Sequence, residues 1–377
     1  MNLSDVTHKN FCVAPWVNLH VSTGEDTRPC CGGNSVVPDT LSSESWNYFE
    51  KSNHKLIKIK QELLAGKTPE YCTNCKEERN WYSEFVEQPL VISEVDEFSL
   101  RSIDARWNNT CQLSCTYCGP SSSSKWAQLQ SQKTVNSDTK SYRISQKNIE
   151  KIYQLINNNS IKRVSMLGGE PLLMKENIKL LDVLEKSTNI EIFTNLNVVL
   201  KGNQLFEQLV QRPNVQWYVS METIGKKFEF VRRGADWNRQ VSNLEQLMFE
   251  IQGTITLQSQ YCAYSALNLC ELYEFVEQYP KLTINWGGLV TNPRYLNFLN
   301  FPKILKQQSL DQMDQCIKRW PERTHGLVVL RQQLIDHMDN VVPDIVEKCI
   351  NWHQQQETQF FNNQFNFVEL WPEYCKI

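Results

Sequence analysis

Between residues 99 and 290, short runs rich in β-branched and apolar residues alternate with longer stretches whose apolar positions recur every three or four residues. That alternation predicts a parallel sheet with crossover helices, because parallel neighbours need a connection long enough to return along the sheet. Strands are expected at residues 99–106, 163–167, 190–194, 216–220, 254–260 and 282–286. Helices are expected at 123–130, 148–157, 177–185, 203–211, 241–251 and 268–277, several opened by Ser or Asn side chains that cap free N–H groups. Together they make six β/α units. The stretch 131–142 is polar and reads as a loop, and after Pro302 the pattern turns helical. The tail 352–377 carries Phe360, Phe361, Phe365, Phe367, Leu370 and Trp371 and is expected to pack back on the body.

With 377 residues and 41% hydrophobic content the chain can fill about two domain cores. Its 39 basic and 42 acidic residues give a net charge of -3, so no global positive field favours nucleic acid as a partner. Residues 1–10 lack the apolar core of a signal peptide, and no run approaches the roughly 18 apolar residues of a membrane span. A cytoplasmic location is the expectation. The 13 cysteines are odd in number and clustered, which suits metal or cluster ligation in a reducing compartment better than a disulfide framework.

Cys111, Cys115 and Cys118 follow the first expected strand with three and two residues between them. Three close thiolates can hold three irons of a 4Fe-4S cube and leave the fourth open, whereas closed structural sites usually take four ligands. A zinc knuckle with a borrowed fourth cysteine, or thiols packed as small apolar groups, would leave the same spacing. The second expected strand runs into Gly168, Gly169, Glu170 and Pro171, at the strand end where parallel sheets place ligands. The glycines allow close backbone approach, and Glu170 can accept hydrogen bonds from a cationic amine. An ordinary turn would read the same way.

The cysteine triple, with Tyr117 just before its third member, and the Gly168 to Pro171 motif together resemble the radical S-adenosylmethionine (radical SAM) superfamily. The resemblance implies a partial (β/α)6 TIM-like barrel of the α/β class. It also implies a 4Fe-4S cluster on Cys111, Cys115 and Cys118, whose open iron chelates S-adenosylmethionine. An electron then cleaves the sulfonium, and the 5'-deoxyadenosyl radical takes a hydrogen atom from the substrate. By the same resemblance Tyr117, Gly168, Gly169, Glu170, Pro171, Thr194, Asn195, Ser220 and Glu222 are cofactor contacts. Relatives carry Ser-x-Asp-Gly where this chain has Ser220, Glu222 and a displaced Gly225. Arg232 and Arg233 could meet a carboxylate or phosphate of cofactor or substrate, or lie on a solvated helix start.

Cys12, Cys30 or Cys31, Cys72 and Cys75 resemble the auxiliary-cluster modules called SPASM and twitch, here placed before the core. That implies a second 4Fe-4S cluster, with four-cysteine zinc as the alternative. Five residues separate Gly24 from Cys30 where the module usually has four, which leaves the choice between Cys30 and Cys31 open. The expected organisation is an N-terminal auxiliary-cluster domain at 1–98, the barrel at 99–300 and a helical extension at 301–377. None of the 6 histidines sits in a ligand-like cluster, and Cys262, Cys270 and Cys316 read as packing thiols.

The resemblance implies hydrogen abstraction from a peptide, served by a reductant such as flavodoxin or ferredoxin. The alternatives are the same chemistry on a small-molecule or nucleotide-linked substrate, and a non-catalytic iron-sulfur or zinc protein.

Overall fold

The computed structural model describes residues 3–6, 10–22, 26–30, 32, 54–73, 75, 98–133, 142–157 and 160–376. Gly24, Cys31 and most of the loop expected at 131–142 lie outside the described residues. The chain divides into two compact units: Met1–Cys111, Asp138–Phe193 and Asn203–Val215 in the first; Gln112–Ser137, Thr194–Gly202 and Gln216–Ile377 in the second.

In the first unit, β1 (Asn18–Ser22), β2 (Asp26–Arg28), β3 (Ser102–Ala105), β4 (Arg163–Met166) and β5 (Asn189–Thr194) form a sheet in the order β2-β1-β3-β4-β5. Only the β1–β2 pair is antiparallel. Side chains alternate between faces with a period of two, and the register lines them up in rows. One face carries Leu19, Ile103, Val164 and Ile190, all without solvent exposure. The other carries a polar row in which His20 stands beside Asp104, Asp104 beside Ser165, and Ser165 beside Glu191. Asp104 accepts from His20 Nδ1 at 3.4 Å and from Arg163 Nη1 at 3.4 Å; Arg163 Nη2 also reaches Glu191 at 2.6 Å. Burial alone would raise the Asp104 pKa, but the His20 hydrogen bond and charge, then Arg163 and Asn18, hold it below the ordinary carboxylate value.

The second unit holds the parallel strands β6 (Val215–Ser220), β7 (Ile255–Tyr261) and β8 (Leu282–Leu289). They again bury one face, with Trp217, Val219, Ile255 and Leu257 at 1% exposure or less. All six expected strands are present, and their crossover helices lie within a few residues of expectation. Asn203 and Asp236 cap helices Gln204–Val210 and Trp237–Glu250 through their side chains. Asn177, expected to open a helix, instead lies inside Lys175–Val183 and joins Trp107 Nε1 at 2.7 Å to the Pro171 carbonyl at 3.0 Å. Among the described residues no helix is long and apolar enough to cross a membrane.

The C-terminal segment does pack back. Trp371 Nε1 donates to the Tyr264 carbonyl at 3.1 Å, and the Tyr374 hydroxyl to that of Ala263 at 2.6 Å. Helix Ile345–Phe360 buries His353, whose Nδ1 donates to the Cys349 carbonyl at 2.6 Å. Its Nε2 therefore accepts from the Tyr264 hydroxyl, also at 2.6 Å. Burial lowers the His353 pKa from 6.5 to about 3, against the pull of the Cys349 carbonyl and with help from the Arg233 cation. The folded value lies below the unfolded one, so the neutral ring stabilises fully above pH 6.5 and progressively less as pH falls towards 3. Between pH 7.5 and 5.5 this group is expected to cost on the order of 1 kcal/mol of stability. Urea unfolding of wild type and His353→Gln at the two pH values checks it, since the variant should lose that part of the slope.

Candidate functional site

In the first unit, β4 ends at Met166 and the chain turns through Gly168 at φ +120, a conformation that favours glycine. A Cβ on Gly169 would come within 2.4 Å of the Thr110 carbonyl oxygen and 2.7 Å of that of Asn109. Glu170 N–H closes the contact by donating to Thr110 O at 2.8 Å. The turn is thereby laid on the backbone that leads directly into Cys111. Glu170 is fully buried, and its Oε1 accepts from Leu172 N at 3.1 Å, capping the short helix Pro171–Leu173.

In the second unit, residues 112–118 are fixed by backbone pairing. Ser114 N–H donates to Arg233 O and Thr116 N–H to Val231 O, both at 2.9 Å. Cys115 lies between the two bonds on one side and Arg232 on the other. Trp126 Nε1 donates to the Cys115 carbonyl at 2.8 Å, and Ser123 Oγ to that of Leu113 at 2.6 Å. Cys118 N–H turns back to Cys115 O at 2.9 Å. Burial pushes the Cys118 thiol up, with the Gly119 backbone and the Arg232 cation opposing.

Arg232 is 5% exposed and Glu222 is 1% exposed. The guanidinium donates to Glu222 through Nε at 3.0 Å and Nη2 at 2.7 Å, to the Tyr117 hydroxyl at 2.8 Å, and towards Cys115 Sγ at 3.8 Å. Tyr117 in turn donates to Glu222 Oε1 at 2.7 Å. Burial works against the Arg232 cation, but Glu222, Tyr117 and Cys115 more than offset it, and the group stays charged. Neither arginine of the pair lies on a solvated helix start. Arg233 is 2% exposed, paired with Glu357 and caged by Phe230, Phe365 and Phe361 at 4.0, 4.5 and 5.0 Å.

Thr194 Oγ1 accepts from Leu196 N at 2.8 Å, which holds Leu196 at φ 53. Asn195 Oδ1 accepts from Gln112 Nε2 at 2.9 Å, tying the end of β5 to the cysteine loop. Ser220 closes β6, and two residues on Glu222 turns to the arginine. Sequence reasoning missed the Arg232–Glu222 pairing and the polar row from His20 to Glu191. The row had a signal, since polar residues sit at every second position of β1, β3 and β4 and at Asn189 and Glu191 of β5.

Near the N-terminus, Cys12 and Cys30 pack against one apolar cluster that includes Phe11, Trp16 and Leu63. The Tyr71 hydroxyl donates to the Cys30 carbonyl at 3.0 Å, and Cys75 N–H to Cys72 O at 3.1 Å. Burial, then the neighbouring Cys30, pushes the Tyr71 hydroxyl up. The segments bearing Cys12, Cys30, Cys72 and Cys75 thus share one neighbourhood.

Residues 107–252, from the start of the cysteine loop to the end of helix Trp237–Glu250, match the family model of the radical SAM superfamily. Over those residues the chain is similar to a radical SAM domain. That stretch contains Cys111, Cys115, Cys118, Gly168 to Pro171 and the Arg232–Glu222 pair. Among solved structures, anSMEcpe with bound AdoMet and Kp18Cys peptide is similar over 59% of this chain and 61% of its own, at 16% identity and TM-score 0.41. Streptococcus suis SuiB bound to S-adenosylmethionine is similar over 58% of this chain and 48% of its own, at 18% identity and TM-score 0.41. SuiB bound to precursor peptide SuiA gives 70%, 60%, 15% and 0.40 in the same order. The chain spans less than two thirds of the length of each. A comparison with curated proteins finds no match.

The superfamily implies a 4Fe-4S cluster and S-adenosylmethionine, and the donor chemistry of the loop fits the cluster. Three soft thiols stand on the loop, two of them on backbone held by the pairing above, with a buried cation beside Cys115 to balance thiolate charge. Among the described residues no three His, Cys, Asp or Glu side chains gather around a single-ion position. A cube asks something different, one iron for each thiolate.

Proposed function

We propose that the protein is a radical SAM enzyme that cleaves S-adenosylmethionine reductively and takes a hydrogen atom from a peptide. The observation that carries this reading is the Cys111 to Cys118 loop within the stretch similar to a radical SAM domain, with the Arg232 cation set against Cys115. Cys111, Cys115 and Cys118 would hold the cluster. Bound there, the cluster would supply the electron for reductive cleavage of S-adenosylmethionine.

The chain's own part is binding and orientation. Gly168, Gly169, Glu170 and Pro171 are assigned to the methionine end of S-adenosylmethionine, where backbone oxygens can accept from its cationic amine. Tyr117, Thr194, Asn195, Ser220 and Glu222 are assigned to its nucleoside, with the Glu222 carboxylate also held by Arg232 and Tyr117. Cys12, Cys30, Cys72 and Cys75 are assigned to an auxiliary 4Fe-4S cluster, supported by the shared neighbourhood that Tyr71 helps to close. Four-cysteine zinc is the second reading, favoured by the close Cys72 and Cys75 pair. Peptide substrate rests on the likeness of that cysteine pattern to auxiliary modules; a small molecule is the alternative. Residues 1–98, 99–300 and 301–377 serve as auxiliary segment, barrel and extension of a cytoplasmic protein fed by flavodoxin or ferredoxin.

Anaerobic reconstitution with iron and sulfide, followed by dithionite and S-adenosylmethionine, tests the reading. About eight irons per chain and 5'-deoxyadenosine are expected. A fully loaded protein that releases no 5'-deoxyadenosine, alone or with candidate peptides, sinks it.

A further inference from the structure

We infer that Arg232 is a positioning residue that raises the reduction potential of the cluster assigned to Cys111, Cys115 and Cys118, acting through Cys115; this rests on that assignment. The placement follows from the backbone. Two hydrogen bonds at 2.9 Å, Ser114 to Arg233 and Thr116 to Val231, bracket Cys115 and Arg232 and set them side by side. Nη1 then lies 3.8 Å from Cys115 Sγ. The rest of the fork is taken up by Glu222 and Tyr117, so the guanidinium has one orientation rather than many. At 5% exposure its charge is little screened by salt.

When a low-potential reductant such as dithionite or flavodoxin gives up one electron, the cluster gains it and becomes one unit more negative. A fixed cation that donates to a ligating sulfur favours the more negative form, and hydrogen bonds to sulfurs are a recognised lever on such potentials. Glu222 has the opposite sign. It fixes the arginine, yet its own charge disfavours reduction. Removing the cation and removing the carboxylate should therefore move the potential in opposite directions, whereas mere loosening of the loop would move both alike.

The experiment uses the full chain, reconstituted anaerobically, with iron and sulfide counted in every variant. Wild type, Arg232→Met, Arg232→Lys and Glu222→Gln are poised with mediators in the absence of S-adenosylmethionine, and the reduced fraction is read by EPR. At the wild-type midpoint, the reduced-to-oxidised ratio of Arg232→Met is expected to fall about tenfold, ~59 mV for a one-electron couple. Arg232→Lys keeps the charge and should recover most of that loss, and Glu222→Gln should shift the ratio upward. If Arg232→Met does not fold, the upward shift in Glu222→Gln decides. Unchanged potentials in loaded variants, or shifts of the same sign in Arg232→Met and Glu222→Gln, overturn the inference. A wild type that binds no iron at all overturns the cysteine assignment first, and the iron count separates the two failures.

Discussion

Replacing Cys111, Cys115 and Cys118 together by alanine is expected to abolish 5'-deoxyadenosine formation while iron falls from about eight to about four per chain. The reasoning is stoichiometric. Each thiolate is assigned a different iron of one cube, so no remaining donor on the loop can replace it; Gln112, Ser114 and Thr116 offer only hard oxygens or nitrogens. The fold should survive, because the loop is held by backbone bonds to Val231 and Arg233 and by the Ser123 and Trp126 contacts, none of which uses a thiol. The complementary variant, with Cys12, Cys30, Cys72 and Cys75 as alanine, should also lose about four irons yet still cleave S-adenosylmethionine. Iron analysis and chromatography of the nucleoside product check both. Loss of zinc rather than iron in the second variant would turn the N-terminal site into a structural staple. Full cleavage by the first would remove the catalytic role from the triple.

How far the sequence was legible depends on the range of the interaction. Strand and helix alternation is local, and all six strands from β3 to β8 were readable from it. β1 carries the same signal, with Leu19 and Val21 between Asn18, His20 and Ser22, but it lies outside the stretch 99–290 in which strands are expected. Its other face is polar because His20 joins Asp104, 84 residues away, which no window of the sequence reveals. Spacing singled out the cysteines, since thiols assigned to one centre on one loop are close in the chain. It could not expose Arg232 and Glu222. The sequence offers each as a contact to cofactor or substrate, and their pairing shows only where Glu222 follows the end of β6, Arg232 follows helix Gly225–Val231, and the two meet in the interior.

Glu357→Ala is expected to destabilise the protein by about 3–5 kcal/mol, the cost of leaving a buried cation without its partner. Arg233 and Glu357 are 124 residues apart and at most 5% exposed in their side chains. Nε and Nη1 of Arg233 meet no hydrogen-bond acceptor and face aromatic rings instead, so Glu357 is the counter-charge the group relies on. Its other oxygen accepts from Phe365 N at 3.0 Å, which fixes the turn that brings Phe365 into the cage. Removing the carboxylate therefore loosens the extension and the arginine together. The arginine's carbonyl is also the acceptor for Ser114 N–H, so the cysteine loop should feel the change. Urea unfolding of apoprotein measures the stability term, and iron retention after gel filtration measures the second. Replacing the pair together, Arg233→Met with Glu357→Leu, should recover much of the lost stability, because apolar residues of similar volume avoid burying an unpaired charge. A double variant as unstable as the sum of its singles would mean that the cage, rather than the ion pair, holds the extension in place.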